Sequence, residues 1–99
     1  MKLGFIGTGQ IAKATILGIL GSKLKINKIY ISQRSKKISK QLSKKSKKIV
    51  ILTDNQEIIN NSNWVFLSIT PEVGNKILKN LKFKSSQTII NYISTIGIT

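Results

Sequence analysis

Lys2-Leu3-Gly4-Phe5-Ile6-Gly7-Thr8-Gly9-Gln10-Ile11-Ala12 is the stretch that decides the fold. Lys2 to Ile6 form a short apolar run that stops at Gly7, the pattern of a buried strand. From Gln10 to about Leu20, the residues Ile11, Ala12, Thr15, Ile16, Ile19 and Leu20 recur at helical spacing, and Gly21-Ser22 ends the segment. Between the two lies a turn that fits G-x-G-x-x-G/A, with a strand just before it and a helix opening at its second glycine. Each position has a physical reason. Gly7 permits the tight turn, Gly9 lets a pyrophosphate approach the backbone, and Ala12 is small enough for the helix to pack on the strands. Free N–H groups at the helix start, with the helix dipole behind them, favour an anion. Thr8, Gln10 and Ile11 complete the turn.

Outward from this stretch, apolar runs alternate with amphipathic ones. Asn27 to Ser32 contains Ile29, Tyr30 and Ile31 and reads as a second strand. Ser35 to Lys48 reads as a Lys-rich helix whose only apolar stripe is Ile38 and Leu42. Ile49 to Leu52 is a third strand. Asp54 can cap a short helix carrying Ile58 and Ile59. Trp64 to Ile69 is a fourth strand. Pro71 suits the first turn of a helix that would bury Val73, Ile77, Leu78 and Leu81. Gln87 to Ile93 is a fifth strand, followed by Ser94-Thr95-Ile96-Gly97. Strands apolar on both faces and separated by helices are usually parallel. The expected fold is therefore α/β: a Rossmann-like, doubly wound, mainly parallel sheet with helices on both faces, in one domain spanning residues 1–99.

Composition narrows the chemistry. The chain has no Cys and no His, which removes thiol nucleophiles, disulfides, zinc sites built on thiolate or imidazole, and His general bases. No Asp, Glu, Lys or Tyr stands out as a catalytic acid. Sixteen Lys and one Arg face only Asp54, Glu57 and Glu72, for a formal net charge of +14. Such a charge attracts phosphates of any kind. Lys is enriched together with Ile, Asn and Ser, all of which share AT-rich codons, so base composition accounts for much of the bias. Aromatic residues near the basic ones are scarce, which disfavours nucleic acid as a partner. Leu3 to Gly21 superficially resembles a signal peptide, but Gly7, Gly9, Gln10 and Lys13 interrupt it. No apolar run reaches the ~20 residues of a membrane helix. A soluble, cytoplasmic protein that does not engage membranes is expected.

The end of the second strand separates the two nicotinamide coenzymes. A site that prefers NAD usually places Asp or Glu about twenty residues after the glycines, on the ribose hydroxyls. Here the residues are Ser32-Gln33-Arg34-Ser35-Lys36, with no carboxylate. Hydroxyls and a guanidinium would bind a 2′-phosphate that an acid would repel. NADP(H) is the expected coenzyme, with NAD(H) as the alternative.

Four segments together resemble the pyrroline-5-carboxylate reductases. They are residues 1–14, Thr53-Asp54-Asn55-Gln56-Glu57, Asn63 through Ser68-Ile69-Thr70-Pro71-Glu72, and Ile93-Ser94-Thr95-Ile96-Gly97-Ile98. Their order and spacing are close to those of the family's coenzyme-binding, amino-terminal half. The resemblance implies reduction of 1-pyrroline-5-carboxylate to L-proline with NAD(P)H. It implies that Gly7, Thr8, Gly9, Gln10, Ile11 and Ala12 line the pyrophosphate. Ser32 and Arg34 would lie near the adenosine ribose or its phosphate, and Asn55 on the adenosine side. Ile69, Thr70 and Pro71 would pass beside the ribose and nicotinamide, with Ser94 and Gly97 near the nicotinamide. Thr70 stands where the family usually has Lys, and Ile96 where it usually has Ala. The family's helical carboxy-terminal domain, which supplies most substrate contacts and the dimer, does not follow here. The resemblance therefore implies a coenzyme half that is incomplete alone: a fragment, a truncated gene product, or one partner of a split enzyme completed by a separate helical domain. Dehydrogenases of β-hydroxyacids and reductases between a deazaflavin and NADP have similar amino-terminal halves; Asp54-Asn55 favours the first family. A reading of another class is a non-catalytic nucleotide- or RNA-binding module using residues 35–48 as a basic face.

Overall fold

Gly4 sits between two strands and under a helix, and its lack of a side chain sets how closely these layers meet. The structure, a computed structural model, describes residues 1–7, 10–32, 36–67 and 79–91, with backbone alone at residues 10, 11, 36 and 91. In chain order the elements are β1 (Lys2–Ile6), α1 (Gln10–Leu20), β2 (Lys28–Ser32), α2 (Lys36–Ser43), β3 (Ile49–Leu52), α3 (Asn55–Asn61), β4 (Trp64–Leu67) and β5 (Thr88–Asn91). The strands form one sheet in the order β3-β2-β1-β4-β5. Every pairing is parallel, with Gly4 opposite Tyr30 on one side and Val65 on the other. The order runs outward from β1 through β2 and β3, then restarts on its other side with β4 and β5. This is the Rossmann-like, doubly wound α/β arrangement.

Strand alternation sorts the core into two layers. Leu3 and Phe5, with Ile29, Ile31, Ile49 and Phe66, meet Ala12 and Ile16 of α1 and Leu42 of α2. Ile6, Val65 and Leu67 face the other way, onto Ile58 and Ile59 of α3, with Tyr30, Leu52 and Leu81 at the margin. Phe5 and Phe66 are partners in the β1–β4 register, and their rings stack with centroids 4.4 Å apart and planes 7° from parallel.

A Cβ built on Gly4 would lie 2.2 Å from Ser62 Oγ and 2.7 Å from Ile58 Cγ2. The carboxy-terminal end of α3 thus rests directly on the β1 backbone. Gly4→Ala should cost about 1–3 kcal/mol, the usual range for overpacking a tight core. Adding Ser62→Ala should recover part of that loss, because the two sites are in contact. Urea unfolding of the two variants checks both statements.

Two asparagines hold the start of β1. Asn27 N–H donates to the Met1 carbonyl at 2.8 Å while the amino terminus donates to Asn27 Oδ1. Asn63 N–H donates to the Lys2 carbonyl at 2.8 Å, and Lys2 N–H donates to Asn63 Oδ1 at 2.8 Å. One asparagine precedes β2 and the other precedes β4, so the central strand is tied at its amino end from both sides.

The structure revises some expected boundaries. The Lys-rich helix covers Lys36–Ser43 and does not continue to Lys48. Its apolar stripe ends at Leu42, and beyond it Lys44, Lys45, Lys47 and Lys48 offer nothing to bury. The chain instead turns back through Lys45 N–H to the Leu42 carbonyl at 2.9 Å and Lys48 N–H to Ser46 Oγ at 3.1 Å. Lys79 and Asn80 form a turn, and Leu81 packs on the core from irregular backbone rather than from a helix. The rest of the helix expected after Pro71 lies outside the described residues, as do the ends expected for β4 and β5 at Ile69 and Ile93. The second strand begins at Lys28 and the fifth at Thr88, one residue later than expected in each case. The residue before each, Asn27 and Gln87, uses its side chain to bond other segments. No helix among the described residues is long and apolar enough to cross a membrane.

Candidate functional site

In a doubly wound sheet, ligands bind outside the carboxyl ends of the strands where the strand order reverses. Here that point lies between β1 and β4. Gly7 follows the end of β1 and has φ 86°, the only positive φ among the described residues. That value belongs to the left-handed region, which a side chain would strain, so the turn depends on glycine at this position. Gly7 is buried, and its N–H donates to Ser32 Oγ at 3.0 Å. The Ser32 carbonyl in turn accepts from Ser39 Oγ of α2 at 2.9 Å. The ends of β1 and β2 and the body of α2 are thereby connected through one residue that is only 5% exposed.

This placement gives Ser32 a definite physical task. Its hydroxyl holds the amide of Gly7, so that N–H is not offered to an anion. The first residues of a helix have no intrahelical acceptor for their N–H groups. Gln10 and Ile11 open α1 and carry such groups, and the first turn of α1 contains no acidic residue to compete with a bound phosphate. Ala12 is fully buried and packs on the sheet, which brings the start of α1 close to the strands. Ser32→Ala leaves the buried Gly7 amide without its acceptor, a cost of about 1–3 kcal/mol. Coenzyme affinity should fall by roughly tenfold, as 1.4 kcal/mol corresponds to a factor of ten, and Ser32→Thr should restore much of it. Calorimetric titration of the two variants checks this.

Asn55 is half-buried at the first position of α3, beyond the carboxyl end of β3. Asp54 caps this helix, accepting from Gln56 N–H at 2.9 Å. Gln56 binds the Lys82 backbone twice, donating to its carbonyl and accepting from its N–H, both at 2.9 Å. Gln87 donates to the carbonyls of Ile59 and, at 2.8 Å, Ser62. In the Asp54-Asn55-Gln56 segment, cap and amide therefore secure α3 and the approach to β5, with Asn55 beside them at the ligand end of the sheet. Sequence reasoning missed the acceptor role of Ser32, the Ser39 bond and the Gln56–Lys82 pair. Of these, only the position of Ser32 at the end of a strand carried a signal.

The topology brings Gly7, Ala12, Ser32 and Asn55 to the carboxyl edge of the sheet, together with the backbone of Gln10 and Ile11. Thr8, Gly9, Arg34, Ile69, Thr70, Pro71, Ser94 and Gly97 lie outside the described residues.

A parallel 3-2-1-4-5 sheet with a glycine turn at its switch point defines a dinucleotide-binding α/β domain. Residues 2–95 match the family described as NADP oxidoreductase, coenzyme F420-dependent. The chain belongs to that family and is a coenzyme-binding domain of the oxidoreductase class. Among solved structures, 1-pyrroline-5-carboxylate reductase from Streptococcus pyogenes is 32% identical, with a TM-score of 0.76 over 99% of this chain and 36% of that one. The 3-hydroxyisobutyrate dehydrogenase of Mycobacterium tuberculosis has a TM-score of 0.71 at 11% identity, covering 91% of this chain and 30% of its own, and so shares the fold. No curated protein matches the sequence. The chain spans about a third of the length of each of these two solved structures. The resemblance to pyrroline-5-carboxylate reductases read from the four sequence segments is thus met again in three dimensions.

Proposed function

We propose that these 99 residues form the NADPH-binding part of a pyrroline-5-carboxylate reductase, which reduces 1-pyrroline-5-carboxylate to L-proline. The observation that carries this reading is the 32% identity to the streptococcal reductase, maintained over 99% of the chain. When bound, the reduced nicotinamide supplies the hydride. This chain's part is to grip and orient the carrier. The amides that follow Gly7, at Gly9, Gln10 and Ile11, receive the pyrophosphate, with Thr8 and Ala12 shaping the turn. Ser32 and Arg34 flank the adenosine ribose, and the lack of a carboxylate there favours the 2′-phosphate of NADP(H) over NAD(H). Asn55 lies on the adenosine side. Ile69, Thr70 and Pro71 guide the coenzyme towards Ser94 and Gly97, beside the nicotinamide.

Hydride transfer also needs the substrate carbon held against the nicotinamide. In this proposal a helical domain outside these residues forms that second wall, and the 99-residue domain alone binds coenzyme without turning over. The same reading places the chain in the cytoplasm, beside its coenzyme pool.

Absorbance of NADPH in the presence of 1-pyrroline-5-carboxylate tests the division of labour. The isolated domain should bind coenzyme and leave it unconsumed, and proline formation should return when the remainder of a reductase is supplied in trans. Rapid turnover by the domain alone would contradict the division. The match over residues 2–95 supports a second reading, hydride exchange between a deazaflavin and NADP. Under that reading, an oxidised deazaflavin would replace the imine as the hydride acceptor that restores turnover.

A further inference from the structure

We propose that the groove between α1 and α2 is a second anion site, one that takes a small oligophosphate and is separate from the coenzyme crevice. Lys13 and Leu17 of α1 and Gln41, Leu42, Lys44 and Lys45 of α2 and its following turn line a cavity of about 430 Å³. That size falls within the roughly 300–1,000 Å³ typical of small-molecule pockets. Three of the cavity's six lining residues are lysines. The described carboxylates, Asp54 and Glu57, lie at the cap and in the first turn of α3, which covers the opposite face of the sheet. Lys13 Nζ donates to Gln41 Oε1 at 3.2 Å, which joins the two walls.

Three lysines along one groove, with no described carboxylate on that face of the sheet, repel one another, and an anion with several charges relieves that repulsion. Leu17 and Leu42 supply the groove's apolar lining, and among the described residues no aromatic side chain lines it. Base-stacking platforms are therefore lacking, which favours a compact oligophosphate over a single-stranded nucleic acid. The inference does not rest on the coenzyme reading, because the two sites can be titrated separately.

The test uses inorganic tripolyphosphate at low salt, with the 99-residue chain as it stands. Saturable one-to-one binding is expected, undiminished when NADPH is present at saturation. The Lys13→Gln, Lys44→Gln, Lys45→Gln triple variant should bind roughly tenfold more weakly or worse. A control triple of the exposed Lys28→Gln, Lys79→Gln and Lys82→Gln should stay within about twofold, as expected for screened, distant charges. Amide shift changes in the unaltered protein give a readout that needs no variant, and should centre on Lys13, Leu17, Gln41 and Lys45. Equal losses in the two triples, competition by NADPH, or shifts centred on Gly7 and Gln10 would each overturn the proposal, as would the absence of saturable binding.

Discussion

Gly7→Val should weaken NADPH binding by about a hundredfold, the largest effect on ligand affinity expected of a single substitution among the described residues. The cause is local. Gly7 has φ 86°, and a β-branched residue in that region is strained by roughly 1–3 kcal/mol. The strain can be relieved only by moving the turn, and the Gly7 N–H is held on Ser32 Oγ at 3.0 Å. Relief therefore breaks that bond and shifts the amides that follow. In the bound state the turn must return to its original shape, so the strain appears as lost affinity. A useful contrast is Gly18→Ala within α1, where an added Cβ meets nothing within 4 Å. That change should leave binding intact and raise stability by about 0.5–1 kcal/mol. Titration of coenzyme into both variants, with circular dichroism to follow folding, separates a damaged cradle from a damaged fold.

The second large effect is on stability. Phe5→Ala should cost about 3–5 kcal/mol, a large share of the roughly 5–15 kcal/mol that holds a domain together. Phe5 has no solvent exposure, lies on the central strand and stacks on Phe66 with centroids 4.4 Å apart. Truncation removes the ring from the layer shared by α1, α2 and four strands. Phe5→Leu keeps most of the volume and should cost less, about 1.5 kcal/mol or under if the site repacks. Urea denaturation of both variants gives the comparison. A loss below about 1 kcal/mol for Phe5→Ala would mean that the β1–β4 junction is not the core of the fold.

Much of this architecture could be read from residues that act locally. Leu3 to Ile6 and Ile49 to Leu52 are apolar on both faces, and they form central and edge strands of a parallel sheet. Asp54 caps α3 because a carboxylate can reach an amide two residues on, and Ile58 and Ile59 mark the buried face of that helix. The glycine turn was legible because the motif places the residue type that most readily adopts the φ seen at Gly7. What could not be read depends on register between distant segments. Asn63 and Lys2 are 61 residues apart, and Gln56 and Lys82 are 26 apart. No spacing in the chain announces that their amides will meet. The Lys-rich helix was expected to run longer than it does, because Lys propensity favours helix to Lys48 while the apolar stripe ends at Leu42. Burial decided the boundary.

The same distinction applies to the site. The motif carried the tight turn at Gly7 and the close packing at Ala12. Ser32 was expected beside the adenosine ribose, and in the fold its hydroxyl bonds the Gly7 amide, a connection that requires β1 and β2 to be adjacent and parallel. Under the proposed function, Ser32 would therefore act on coenzyme binding through the shape of the turn as well as from its place near the ribose.

Calorimetric titration of the folded 99-residue chain with NADPH and, separately, NADH tests the central claim most directly. A one-to-one complex with NADPH, weaker with NADH and weakened again by Gly7→Val, is the predicted result. A well-folded chain that gives no heat with either dinucleotide at millimolar concentration would contradict the account.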